Sequence, residues 1–441
     1  MGDTLLEAAR QAVALALRSG AQDAAAAASR ARQVELAWRD GRVETASEAT
    51  TRGLGIDLYV DGRFGSVSTC DLRPEAIERL VADGVALTRT LAPDPFRKLP
   101  DPALYAGRAD ADLQLADPDH DRLDAVARRR AAAEIEEAAR ATPGADRILS
   151  VSASVGDTSA QRVFVTSNGF EGARSGTDHG LSAEVSVRDP DGRRPEDWDA
   201  ATARFLSDLP APSGIGRGAA ERALARIGSE KGKSAVTPVL VDARAAGRIV
   251  GALFGALSGA ALQQKRSFLE GKLGQQVGSE WLDVSDDPLV VRGLGSRLWD
   301  GEGIAARPFP VFERGVLRSH YVDTYYGRKL GMAPTTSRIS NLAWRQGPDG
   351  RDGLAARMGD GLLVTGFLGG NSNSTTGDFS LGVQGFRVRA GRLAGPVGEM
   401  NASGNHRELW ACLSGVGNDP YPYSPMRTPA LLFSGIQIAG R

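Results

Sequence analysis

Apolar residues at Leu5, Leu6, Ala9, Val13 and Leu17 recur at helical spacing, with Gly20 as a stop, and predict an amphipathic helix over 5–18. The period then changes to two. Val34, Leu36 and Trp38 alternate before Asp40-Gly41, and Ile56, Leu58 and Val60 alternate before Asp61-Gly62. Alternation leading into Asp-Gly predicts two β-hairpins, because that dipeptide tolerates the positive φ angles of a type I′ turn. Residues 74–91 read as a second helix, and the proline-rich crossing 92–102 can continue neither helix nor strand. A long Ala/Arg/Glu helix is expected over 123–141, followed by strands over 148–155, 162–166 and 181–187 with a turn at Asn168-Gly169. A polar loop spans 188–195, and two helical stretches are expected between it and Gly232.

Beyond residue 232 the pattern becomes glycine-rich. Pro238 to Val241 is a short apolar strand, and Asp242 is a good N-cap for a helix starting at Ala243. Gly247, Gly251, Gly255 and Gly259 then recur every fourth residue among Ile249, Val250, Leu253, Phe254 and Leu257. Each glycine costs a helix about 1 kcal/mol against alanine. Four on one face therefore predict close approach, by a neighbouring backbone or by an extended peptide. A hairpin is expected over 309–321 around Glu313–Gly315, with strands over 362–368 and 385–388 and a turn at Ala390-Gly391. The fold class is α+β, with a domain of helices packed on antiparallel hairpins over 1–230 and a glycine-rich, β-dominated domain over 231–441.

Charge narrows the function. A net charge of −1 argues against a dedicated nucleic-acid binder. The run Arg128–Arg130 reads as a solvated helix face. Two distant cysteines, Cys70 and Cys412, form no disulfide framework and suit a reducing compartment. Asp3 and Glu7 oppose an export signal, and the apolar stretch 249–262 is too short to span a bilayer. A cytoplasmic protein without membrane or nucleic-acid partners is expected. His120, His179, His320 and His406 show no ligand spacing in sequence, and there is no Gly-x-Ser-x-Gly elbow. The Gly369–Ser374 run lacks the lysine of a P-loop and reads as a turn.

Several unusual strings occur in a fixed order: Asp300–Gly303, Glu313–Leu317, Arg328–Gly331, Thr376–Ser380, Gly395–Val397, Ile436–Gly440 and, earlier, Gly53–Arg63. Their order resembles the TldD/PmbA family, the modulator-of-gyrase proteins. The resemblance implies a metalloprotease-like second domain, and a heterodimeric zinc protease whose two related subunits enclose a cavity where unfolded peptides are cut. TldD-like subunits carry a His-Glu-x-x-x-His helix and a later cysteine as zinc ligands, whereas PmbA/TldE-like subunits lack them. Aligned through Ser267-Phe268, this chain places Val250-Gly251 and Gly255 at the helix positions, and Gly415–Asp419 offers no thiol near the cysteine position. Glycine and valine side chains cannot ligate a metal, whereas a zinc hydrolase needs about three protein ligands. The chain thus resembles the non-catalytic type, with zinc expected in a TldD-like partner. Gly251, Gly255, Gly259, Thr376, Gly377 and Asp378 are its candidate peptide-cavity residues, and a metal-free peptide-binding protein acting alone or as a homodimer is the alternative.

Overall fold

The computed structural model describes residues 2–441, with side chains from Thr4 onward, so the Asp3 carboxylate lies outside the described residues. Helix α1 (Gly2–Arg18) leads into β1 (Asp23–Arg39), β2 (Arg42–Val60), β3 (Arg63–Thr69) and α2 (Pro74–Thr88). After the proline-rich crossing come α3 (Ala125–Arg140), β4 (Ile148–Thr166), β5 (Glu171–Val187), β6 (Glu196–Ala203) and α4 (Pro212–Leu224). The six strands form one antiparallel sheet in the order β3-β2-β1-β4-β5-β6. Both predicted Asp-Gly turns form, with Asp40, Gly41, Asp61 and Gly62 all at positive φ.

All four helices cover one face of this sheet. Beneath α1 and α2 the buried strand residues are Ala24, Ala26 and Ala28 beside Leu54, Ile56 and Leu58. Beneath α3 and α4 they are Val151, Ala153 and Val155 beside Leu181, Ala183 and Val185. The alanines let the α1 backbone approach the sheet closely, and pairing on both sides makes β1 a central strand despite its alanine content. Three local expectations change. Glu196–Ala203 is a strand, not a helix, because β5 offers it a full ladder from Ser186↔Glu196 to His179↔Ala203. Residues 148–166 form one uninterrupted strand. Arg128 is buried rather than solvated, since its Nε donates to Asp157 Oδ2 at 2.6 Å; Arg129 and Arg130 do face solvent.

The second half begins with β7 (Ala235–Val241), α5 (Ala243–Gly255) and α6 (Gly259–Gln263). A small sheet of β8 (Val284–Asp286), β9 (Phe309–Glu313), β10 (Val316–Leu317) and, after α7 (Thr324–Leu330), β11 (Leu342–Trp344) packs beside them. Then follow α8 (Arg351–Met358), β12 (Gly361–Ser372), β13 (Asp378–Arg389), β14 (Arg392–Asn405), α9 (His406–Ala411), β15 (Leu413–Val416) and β16 (Leu431–Ala439). Strands β7, β12, β13, β14 and β16 close into a barrel, sealed by β14–β16 pairs such as Ala402↔Ile438. Ile249, Val250, Leu253 and Phe254 of α5 join Val241, Val364 and Phe433 in the largest core. The architecture is α+β. The helix-free face of the first sheet turns toward the second half, where Phe164 stacks on Trp299 at 6.2 Å between centroids.

Candidate functional site

Strand β7 delivers the chain into α5 through Asp242, whose carboxylate accepts from the Arg244 amide, as its N-cap position predicts. The glycine ladder does not do what its spacing suggests. A Cβ on Gly247 or Gly251 would meet only Met426, at 3.8 and 3.5 Å, and one on Gly255 would meet nothing within 4 Å. Gly255 is exposed and Gly247 and Gly251 are half-buried, so this face of α5 is open. Gly259 differs: it starts α6, and a Cβ there would lie 2.8 Å from Tyr326 Cβ. Close packing explains only this last glycine.

Beside α5 lies a cavity of about 1030 Å³ between the two halves of the molecule, lined by α4, β6, α5 and β12. Its distinctive wall is backbone. Strand β7 pairs with β12 only over Leu362–Val364, while β13 follows β12 on its other side as far as Ser372. Among the described residues no strand lies beside the outer edge of β12 from Thr365 onward, and Thr365–Leu368 line the cavity. Two bulges, at Val364/Gly366 and Phe367/Gly370, interrupt the regular ladder to β13 along this stretch. Gln384 stands next to it, buried, with its Oε1 lacking a partner. An amide donor from an added strand would satisfy such an acceptor.

Charge across the cavity is mixed. Arg244 reaches Asp199 at 2.6 Å and the Trp198 carbonyl at 3.1 Å, while its guanidinium covers the Trp198 ring. Arg351 approaches Asp242 at 3.4 Å, and Arg248 donates to the Gly370 carbonyl at 2.9 Å. Burial lowers the pKa of Arg222 and Arg226 and raises that of Asp197. Of these side chains only Asp242 was singled out from sequence, and as a helix cap rather than a site residue. The available signal was arginine recurring at four-residue spacing, at 222/226 and 244/248, which is unfavourable on a helix unless acids face it.

The remaining candidates fall elsewhere. Thr376, Gly377 and Asp378 form the β12–β13 turn: Thr376 Oγ1 donates to Asp378 Oδ2 at 2.6 Å, and Asn405 Nδ2 donates to Asp378 Oδ1 at 2.9 Å. Gly377 is at φ +87° against Asn405 and Phe268. Glu302 accepts from the amide and hydroxyl of Thr324 at the start of α7, and burial pushes its pKa up to about 7. At the helix positions that would carry zinc ligands, Val250 is fully buried and Gly255 is exposed, and neither has a donor atom. These residues do not fit a zinc ion. Cys412 is a half-buried free thiol, and among the described residues no group of three or more His, Cys, Asp or Glu side chains is placed to hold a metal. His320 is buried, and His406 is stacked flat on Phe268 at 5.5 Å, with desolvation lowering its pKa to about 4. Sequence spacing also hid one histidine pair: β5 and the segment before α3 bring His179 and His120 to 5.4 Å, centroid to centroid.

An antiparallel sheet with helices on one face, joined to a closed barrel, defines a known class. Residues 24–88 match the PmbA/TldA metallopeptidase domain 1, 118–227 the central domain and 234–440 the C-terminal domain. Metalloprotease PmbA of Escherichia coli O157:H7 is 32% identical over 436 residues, covering 97% of this chain and 95% of that protein. A candidate modulator of DNA gyrase from Bacteroides thetaiotaomicron superposes with a TM-score of 0.95 at 38% identity, over 99% of this chain and 98% of that one. TldE of Thermococcus kodakarensis shares the fold, with a TM-score of 0.87 at 20% identity over 98% and 100% of the two chains. This chain belongs to the PmbA/TldD metallopeptidase family.

Proposed function

We propose that this chain is a PmbA/TldE-type subunit without a metal site of its own, which holds an extended peptide for a TldD-like zinc subunit in a heterodimeric protease. One observation carries the reading: a bare stretch of β12 edge lines a large cavity beside a helix whose open face offers no metal ligand. A peptide adding to that edge is held by main-chain hydrogen bonds, which tolerate varied side chains. Of the open glycine face only Gly247 lines the cavity, and it leaves room there for the peptide backbone. Gly259, Thr376, Gly377 and Asp378 lie outside this cavity and have no role in this reading. Division at 230/231 separates the helix-covered sheet from the barrel, and the assembly works in the cytoplasm.

The test measures zinc content and peptide cleavage for the chain alone and mixed with a TldD-like homologue. No zinc and no cleavage alone, with cleavage in the mixture, is expected. Leu368→Lys places a charge on the exposed edge and should weaken peptide capture while leaving the melting temperature unchanged. Peptide binding by the chain without any effect on a zinc homologue would instead identify a free-standing peptide binder. Stoichiometric zinc with cleavage by this chain alone would overturn both readings.

A further inference from the structure

A second cavity, of about 450 Å³, lies between the helix-free face of the first sheet and the segments 294–301 and 338–339 of the second half. Six arginines line it, Arg30 among them, against only two carboxylates, Asp178 and Asp300. Two of the arginines are already committed. Arg204 pairs with Asp178 at 3.1 Å and donates to the Leu294 carbonyl at 2.6 Å. Arg297 is buried and donates to the carbonyls of Gly295, Arg338 and Ile339. Asp300 is partly occupied: its Oδ1 accepts from the amides of Glu302 and Ile304, while its buried Oδ2 has no hydrogen-bond partner among the described residues.

Arg30 has an interaction of its own, which leaves Arg162, Arg174 and Arg338. Arg162 and Arg174 are direct cross-strand partners on β4 and β5, an arrangement that like charges destabilise. Among the described residues no carboxylate forms an ion pair with any of the three. Arg162 Nε is buried without a hydrogen-bond partner. Arg174 lies over the Trp299 ring at 4.9 Å, which orients its guanidinium but leaves its N–H donors unused. Burial and the surrounding guanidinium groups lower the pKa of Arg174 to about 10, and burial, with Arg338 adding to it, lowers that of Arg162. A chain with almost no net charge has gathered uncompensated positive charge at one place.

We propose that this cavity binds an oxyanion-bearing ligand, with Arg162, Arg174 and Arg338 holding its carboxylate or phosphate groups. Guanidinium forks match both groups bidentately. An anion here would relieve the Arg162–Arg174 repulsion and bridge the first sheet to the 338–339 segment, linking the two halves. The site is separate from the β12 edge, so it stands or falls independently of the peptide-binding reading.

Calorimetry and thermal unfolding of the full chain with citrate and with inorganic phosphate, against sodium chloride at matched ionic strength, test it. Saturable binding and a raised melting temperature are expected for at least one anion. Tighter citrate binding would identify a carboxylate ligand, and tighter phosphate binding a phosphorylated one. Arg162→Gln and Arg338→Gln should each weaken binding by about tenfold or more, the loss expected for a charge-assisted hydrogen bond. Without anion, Arg162→Gln should melt no earlier than the parent, because it removes a like-charge pair. Arg338 is exposed, so its variant keeps the test decisive if an internal variant folds poorly. Failure of both anions to saturate, an equal response to sodium chloride, or unchanged binding in Arg338→Gln would overturn the proposal.

Discussion

The four glycines of the 247–259 ladder look equivalent in sequence, but their surroundings separate them. Gly251→Ala should stabilise the protein by about 0.5–1 kcal/mol, because the new Cβ meets only ordinary contact with Met426 and the helix gains propensity. Gly259→Ala should destabilise by about 1–3 kcal/mol, because Tyr326 stands in the way. Urea unfolding of the two variants checks the opposite signs. His406 also acts through its surroundings. Its pKa of about 4 lies below the unfolded value, so the unfolded chain takes up the proton first. Stability is complete above about pH 6.5 and should fall by on the order of 3 kcal/mol as pH drops toward the folded value. His406→Gln should flatten that slope in urea titrations between about pH 4 and 6.5. Glu302 works in the opposite direction: its raised pKa favours the folded state at low pH, an effect lost as pH climbs through about 7. Comparison with the histidine variant therefore separates the two groups.

At the scale of elements, local signals agreed with the structure at the hairpin turns and the Asp242 cap. They failed at Gly369–Ser374, which reads as a turn in sequence yet is strand as far as Ser372, because β13 pairs with it to that point. Asp242 caps α5 and also pairs with Arg351, so Asp242→Ala should cost about 1–2 kcal/mol in thermal unfolding. The Asp-Gly, Arg314-Gly315 and Ala390-Gly391 turns all adopt paired positive φ. Strand extent was less legible. Val34 to Trp38 was the visible part of a strand beginning at Asp23, because an alanine run carries no period and becomes a strand only through partners on both sides. Glu196–Ala203 shows the same rule. Among the described residues no strand pairs with the outer edge of β2 before Leu54, since β3 covers only Leu54–Val60. Hydrogen exchange should therefore report faster-exchanging amides within 42–53 than within 54–60.

At the scale of the whole molecule, arginine side chains reaching backbone carbonyls tie the halves together. Arg328 of α7 donates to the carbonyls of Phe96, Lys98 and Leu99, and Tyr325 bonds Asp94 at 2.8 Å, so the second half grips the proline-rich crossing. Arg328→Ala should cost about 2 kcal/mol and open residues 92–102 to limited proteolysis. The peptide-edge cavity and the arginine-lined cavity both lie along this junction, between elements far apart in the chain.

The sequence by itself determined the family, the α+β class, the turns and caps, and the lack of metal donors on α5, because each is set by residue identity or by spacing within a few positions. It could not show which glycines were packed and which were open, or that Arg128 was buried while Arg162 and Arg174 met across a sheet. Nor could it show that β12 continues past the end of β7 and leaves an edge bare. Those properties depend on what stands opposite a residue, and only the register of paired strands and the closure of the barrel decide that.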